Sequence, residues 1–563
     1  MAFALTNSEG RNYAIGIRDM KTKSAADTME VFKDVLQDVD DRLASTTSDA
    51  GRRLLLTIKA TMSDRAATEK LFNQQVEDLI NKVLPEFRAV EDQLDEADKA
   101  VVIELFNEYC GLHTLVHAAN CVSAASDACE KGHFGATPPI HNPTFRRANQ
   151  SGAVRLIQTS CKMFARGADE RNGLFGKFND FIKPFLMDAF KCRSLPLTPF
   201  RGSRFNELFH NASVIFALHE KFSEFLQTNS QNMLAKSVQH DLSQPFFVGE
   251  TRAIAIFSKL YFCPLWRMLE DKSVDANQMG VFYADMVKGL EDAVNDPETL
   301  LQGNSPFPDE YLQRDLWWDA VFRPNDIYDP IALTALGVML PPLIAFLRNH
   351  LKEYLPGGKF ENRSESEVKG LPKTNKFCES LFGLWDYMLR SNPNMSTLAI
   401  ESFVLWTYNK TGAWLAAKND DEKRIIILKA KKDAKGIKEK YKERQEEIKL
   451  ARRENLERER EAREKKMRDR ATEVTLLCHK ISLLGGLWES DIDVREGLDK
   501  VGTKKSAIID AVKTQMAYRR KVLEQKLNNA KLWNFSEANI SFTPEQMVEK
   551  LKLVIRQPLG ALP

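Results

Sequence analysis

The sequence predicts a mostly α-helical protein that opens on a short α/β segment, and three observations carry that expectation. Residues 3–17 read as strand, turn and strand, residues 98–417 show almost only helical periodicity, and residues 421–470 form one run dense in Lys, Arg and Glu. The chain has 563 residues, room for roughly three to four domains. A hydrophobic fraction of 43% and a charged fraction of 28% are ordinary for a chain that buries a sizeable core.

Phe3-Ala4-Leu5-Thr6 and Tyr13-Ala14-Ile15-Gly16-Ile17 flank Asn7-Ser8-Glu9-Gly10, a turn composition that joins two strands. Between Lys23 and Asp40, the apolar residues Met29, Phe32, Leu36 and Val39 step by three and four, which is one face of a helix. Residues 54–58 read as a third strand, and Thr61-Met62-Ser63-Asp64 opens a helix running to about Leu84. Strand–helix–strand–helix order predicts a parallel pairing with a crossover helix.

Beyond residue 98, Pro138-Pro139, Pro196 and Pro306-Phe307-Pro308 punctuate helices, while Gly357-Gly358 and residues 362–369 read as surface loop. Residues 331–347 are an apolar stretch near the lower length limit for a membrane span. Pro341-Pro342 interrupts it, so a buried pair of short helices is expected and no membrane partner. Trp266, Trp385, Trp406 and Trp414 sit at helical spacings among Leu and Phe and are expected in the core rather than as base-stacking platforms.

The 80 basic and 78 acidic side chains nearly cancel, so a nucleic-acid surface would have to be a local patch. Residues 421–470 hold 20 Lys/Arg and 13 Asp/Glu, a net charge of +7. Their apolar residues are too sparse for a heptad seam, and i,i+4 Glu–Lys/Arg pairs support a solvated helix that could also follow a DNA backbone. Eight scattered cysteines in a chain this long predict reduced thiols and a nuclear or cytoplasmic, intracellular location.

Four short motifs follow one another along this frame. Asp64 ends a strand. Cys110-Gly111-Leu112-His113 lies in a helical stretch, residues 106–125. Arg204-Phe205-Asn206-Glu207 opens a further helix, and Glu401 stands in an apolar helix of residues 396–415. This order resembles the hAT-like DNA transposases, whose RNase H-like domain carries a first Asp, a second Asp, a Cys-x-x-His, an Arg-Trp motif and, beyond a helical insertion, a Glu. The resemblance covers the layout of residues 3–415.

It implies an α/β RNase H-like core interrupted by a large all-helical insertion, then a long charged helix and a small helical module. The segments are 1–130 for the first part of the core, 131–380 for the insertion, 381–417 for the closing helix, 418–476 for the charged helix and 477–563 for the end module. It also implies DNA as the partner, possible homo-oligomers, and two Mg²⁺ (or Mn²⁺) ions held by carboxylates that clamp the attacking and leaving oxygens. Asp64 and Glu401 would be the metal ligands and catalytic acids, with Cys110, His113 and Arg204 bracing the core.

The chain also departs from the family. The family's first Asp lies on a strand that would precede Met1, and Asp19 follows the wrong strand to replace it. Phe205 stands where the family has Trp, and no zinc-finger spacing precedes the core. A domesticated or truncated derivative is therefore expected, with an incomplete triad. Plainer readings stand beside these: Asp64 also fits a helix N-terminal cap, and Glu401 a solvated helix position. Cys110 and His113 fit a buried pair bracing the core, and Arg204 an ion pair with a local carboxylate. A non-enzymatic helical scaffold is the alternative function.

Overall fold

The computed structural model describes residues 1–43, 49–90, 105–135, 137–145, 150–167, 171–200, 206–527, 529–537 and 540–557. Helix makes up 70% and strand 4%. The chain forms two units, Met1–Tyr441 and Lys442–Pro563.

In the first unit, β1 (Ala2–Thr6) and β2 (Asn12–Ile17) form an antiparallel hairpin with a bulge between Phe3 and Ala4. The Asn7 side chain accepts from the Arg11 amide at 2.8 Å, and Gly10 takes φ 74°, the left-handed region that suits glycine. One face of the hairpin packs Phe3 against Phe32 and Phe72, with ring centroids 5.4 and 6.0 Å apart. The other face buries Ala2, Ala14 and Ile17 with Leu381, Ile400 and Val404.

Helix α1 (Ala25–Leu43) buries Met29, Phe32 and Leu36 as their spacing predicts, with Val31 and Val35 beside them. Residues 54–58 depart from expectation. Helix α2 (Ala50–Leu56) occupies most of that segment, and the strand follows it as β3 (Ala60–Ser63). The run Leu54-Leu55-Leu56 is too short for periodicity to separate strand from helix, and leucine favours helix. Gly51 lets α2 lie on α1, since a Cβ there would sit 2.2 Å from the Leu36 carbonyl oxygen.

Helix α3 (Ala67–Val90) then connects β3 to β4 (Phe106–Tyr109), and the two strands pair in parallel with Ala60 opposite Phe106. Residues 106–109 were expected to be helical. They are strand because β3 supplies the ladder, a non-local pairing that overrides weak local preference. Helix starts only at α4 (Gly111–Phe134).

A helical body follows, built from α5 (Gly152–Phe164), α6 (Phe175–Ala189), α7 (Glu207–Asn229), α8 (Met233–Leu242), α9 (Pro245–Phe257), α10 (Cys263–Glu270), α11 (Ala276–Asn295), α12 (Leu316–Phe322) and α13 (Tyr328–His350). Helix α9 is buried all round, Glu250 and Arg252 included, and lies at the centre of this core, packed on α5, α7 and α13. Helix α13 is one continuous helix, not the expected pair. Gly337, Val338, Pro341 and Pro342 are all exposed, so the carbonyls that the prolines deprive of donors face solvent. It is long and apolar enough to cross a membrane by length and composition, but Ala332, Leu336, Met339, Leu340, Leu343 and Leu347 are buried in the protein core.

The first unit closes with α14 (Lys376–Ser391), α15 (Thr397–Tyr408) and α16 (Thr411–Ala416), of which α14 and α15 cover the β1–β2 hairpin. Trp266 and Trp385 are half-buried as expected for helix-packing residues, whereas Trp406 and Trp414 are 49% and 51% exposed. Helix α17 (Asp420–Leu483) is the charged run, with only Ile448, Leu477 and Ile481 buried.

The second unit combines α17 from Lys442 onward with α18 (Asp491–Val501), α19 (Lys505–Lys521), the small hairpin β5 (Ser536–Glu537) and β6 (Ile540–Ser541), and α20 (Pro544–Ile555). Trp488, Val494, Val512, Met516, Leu551 and Val554 form its core. Capping boxes at Ser490/Asp493 and Thr543/Gln546 start α18 and α20.

Candidate functional site

The C-terminal ends of parallel strands are where α/β sheets present side chains to ligands, because the following loops diverge there. Here Asp64 follows directly on the end of β3 and Cys110 on the end of β4. The Asp64 carboxylate accepts from the Ala66 amide at 3.0 Å, a local turn that leads into α3. Arg65 takes φ 71°, a left-handed conformation that costs a non-glycine residue free energy. Its guanidinium is held on several sides. It donates to both Glu353 oxygens at 3.0 and 2.8 Å and to the His350 carbonyl, and it lies 4.5 Å above the Tyr109 ring.

Around this arginine the structure gathers histidines that the motifs did not single out. The His117 and His350 rings lie 5.4 Å apart. Burial, then the Arg65 charge, holds the His350 imidazole down at about 3, and burial with His113 nearby lowers His117. Both rings are therefore neutral near neutral pH. His117 senses the charges of both Asp64 and His113, so Asp64, His113, His117 and His350 share one neighbourhood. The i,i+4 spacing of His113 and His117 was visible in the sequence, but nothing local pointed to His350.

Cys110 is the N-terminal flanking residue of α4 and is buried. Its sulfur accepts from the Asn375 amide at 3.3 Å, and burial pushes its thiol pKa up, away from a reactive thiolate. The eight cysteines are free thiols. Arg204 lies outside the described residues.

Glu401 sits elsewhere. It is buried on α15, against the end of β2, and accepts from the Arg18 guanidinium at 2.9 Å and the Ile17 amide at 3.2 Å. Arg18 also binds Asp38 of α1 at 2.6 Å. Burial raises the Glu401 carboxyl pKa, and Arg18 opposes that shift. Just past the end of α15, the Asn409 side chain accepts from the Ala14 amide and donates to the Ala14 carbonyl, both at 2.8 Å, so it serves as a substitute strand edge for β2.

The pair Asp64 and Glu401 does not fit a two-ion Mg²⁺ or Mn²⁺ site. The Glu401 carboxylate is engaged by Arg18 and Ile17, while Asp64 turns back on its own loop. Among the described residues no group of three or more His, Cys, Asp or Glu side chains is arranged to hold a metal.

The edges of the strand pairs complete the picture. Asn409 and Glu401 seal the outer edge of β2, and the Tyr354 hydroxyl accepts from the Tyr109 amide at 3.0 Å to seal that of β4. Tyr354 in turn donates to Glu108 at 2.7 Å, whose buried carboxylate meets Arg363. On β1, the amides of Ala2, Ala4 and Thr6 point away from β2 and meet no partner among the described residues; on β3 the same holds for Ala60 and Met62. A separate cleft of about 380 Å³ is lined by His133, Phe134, Phe246, Ile331 and their neighbours and includes none of these residues. Compared with known proteins, the chain matches no family model, no curated protein and no solved structure.

Proposed function

We propose that this chain derives from an RNase H-like DNA transposase, is incomplete as a catalyst, and acts by binding DNA or a partner protein. The observation that carries the reading is the return of the chain onto its start. Glu401, on a helix that follows a long helical body, bonds to Ile17 across 384 residues. An N-terminal α/β segment, a helical interruption and a closing acid-bearing helix is the order the resemblance implies. The unpartnered amides along one edge of β1 and one edge of β3 support it as well, because they leave both strand pairs open to a further strand. The engaged Glu401 favours the catalytically incomplete form. Half-exposed Phe403, Trp406 and Trp414 favour the alternative, a protein-interaction scaffold.

The test incubates the purified chain and its Asp64→Ala variant with labelled duplex and hairpin DNA in Mg²⁺ or Mn²⁺. Salt-sensitive binding without nicking, unchanged in the variant, is expected. Metal-dependent nicking lost in the variant would show a working site and overturn the incomplete-catalyst reading. Absence of binding would leave the scaffold.

A further inference from the structure

The second unit contains a feature that the motif order does not explain. Helices α18 and α19 are joined by the three residues Gly502-Thr503-Lys504, and Gly502 ends α18 at φ 85°. A pair of helices joined by a three- to four-residue turn with glycine is the architecture of helix-turn-helix modules, which set their second helix into the major groove. Here α19 is the second helix, and the β5–β6 hairpin follows it in the chain.

Charge divides α19 into two sides. At about 100° per residue, Lys505, Lys513 and Arg520 fall within about 80° of one another, over a rise of about 22 Å. Asp510 and Lys521 lie on a neighbouring strip and are occupied by α17, through Lys480 at 3.9 Å and through Glu473. By contrast Lys504, Lys505, Lys513 and Arg520 are exposed and have no ion-pair partner within 4.0 Å among the described residues. Glu545 at the start of α20 faces Lys505 at longer range. The Lys513 ammonium lies 5.5 Å above the Phe535 ring, which puts the hairpin segment beside this face. Lys550 fixes the hairpin's base by donating to the Lys531 and Asn534 carbonyls at 3.2 and 2.9 Å.

We propose that the basic face of α19, flanked by the β5–β6 hairpin, is a double-stranded DNA-binding surface. The inference rests on the DNA-binding reading above and deepens it by naming the element that makes the contact. The B-DNA major groove, about 12 Å wide, admits one helix. Four unpaired cations spread along the helix and its leading turn match a phosphate backbone, and the interior of the unit stays closed behind Val512, Gln515 and Arg519. The contact is largely electrostatic, so it predicts backbone positioning more than base readout.

The experiment measures binding of the full chain to a fluorescently labelled duplex of ~20 base pairs, long enough for two turns of the groove, by anisotropy across a salt series. Engaging four phosphates gives a slope of log K against log salt of about −3.6. The triple variant Lys505→Ala/Lys513→Ala/Arg520→Ala is expected to flatten that slope by about 3, one per contact. Lys480→Ala, on α17 opposite Asp510, is expected to leave the slope unchanged. An Arg520→Glu variant, with a single exposed change, covers the case in which the triple variant misfolds, and should weaken binding at least ~10-fold at low salt where repulsion is least screened. Duplex binding with the same slope in both α19 variants would overturn the assignment to α19 and leave DNA binding intact. A chain that binds no duplex overturns both readings together.

Discussion

Glu401 on α15 and Arg18, one residue past β2, form an ion pair at 2.9 Å across 383 residues of sequence, and the same carboxylate takes the Ile17 amide. The carboxylate is buried and Arg18 is largely so, and Asp38 brings α1 into the same cluster. One acid thereby ties the closing helix, the hairpin and the first helix together. That role is the opposite of a free metal ligand. It makes the residue important for the fold whatever the chemistry of the chain.

Removing one partner of a buried pair leaves the other charge uncompensated, which typically costs ~3–5 kcal/mol. Glu401→Ala is expected to fall at the lower end of that range, because Arg18 keeps Asp38. Asp64→Ala is expected to cost no more than ~1 kcal/mol, the scale of one lost turn or cap bond. Urea unfolding of the two variants checks the contrast. Equal losses would mean that the Glu401–Arg18 pair does not hold the closing helix.

Two titratable groups should give stability two opposing pH dependences. Glu130 and Glu250 are fully buried together in the helical body. Burial raises the Glu130 carboxyl pKa, and the Gly152 and Ala153 amides it accepts at the start of α5, at 2.6 and 2.9 Å, oppose that shift. Burial and the neighbouring Glu130 raise the Glu250 pKa well above its ordinary 4.5, so Glu250 keeps the proton. The folded state then binds more protons than the unfolded one above pH 4.5, and stability is lost as pH rises toward the raised value. His350 works in the other direction. Its pKa falls from 6.5 to about 3, so stability is lost as pH drops below 6.5. In Tm measured from pH 4 to 9, Glu250→Gln is expected to remove the loss with rising pH that begins above 4.5, and His350→Gln the loss with falling pH that begins below 6.5. A variant that leaves its own loss unchanged would remove that group as the cause.

The open strand edges give a third expectation. The amides of Ala4, Thr6, Ala60 and Met62 point away from their partner strands, while those of Phe3, Leu5, Thr61 and Ser63 enter the ladders. Native-state hydrogen exchange should therefore alternate residue by residue along β1 and β3, with fast exchange at the first set. The amides of Ala14 and Tyr109, sealed by Asn409 and Tyr354, should be slow. Uniform protection along β1 would show that its free edge is covered.

Local signals in the sequence reached some elements and not others. The hairpin was legible because Asn7-Ser8-Glu9-Gly10 is turn chemistry between two apolar runs, and α1 because Met29, Phe32 and Leu36 recur at helical spacing. The charged run was legible as a solvated helix, which α17 is. Strands β3 and β4, with sequences ATMS and FNEY, carry no period-two pattern of strong strand formers; each is a strand because the other lies beside it. Trp406 and Trp414 shared the helical spacing of core residues yet stayed half exposed, because periodicity marks a face without saying what covers it. The candidate site was half legible. Asp64 does stand at a strand end, but the partners that fix Arg65 and Glu401 lie 285 to 384 residues away, beyond any local pattern.

The Glu130–Glu250 pair also changes the proton inventory of the molecule. The formal charge of +2 counts every one of the 78 acidic side chains as ionised. Between pH 4.5 and its raised value Glu250 holds its proton in the folded chain, which there adds one positive charge to that sum, and unfolding releases the proton to solvent. Heat-induced unfolding within that window is therefore coupled to buffer protonation. The calorimetric enthalpy should differ between phosphate and Tris by the difference in their ionisation heats, a signature that the intact carboxyl pair leaves without any label or ligand.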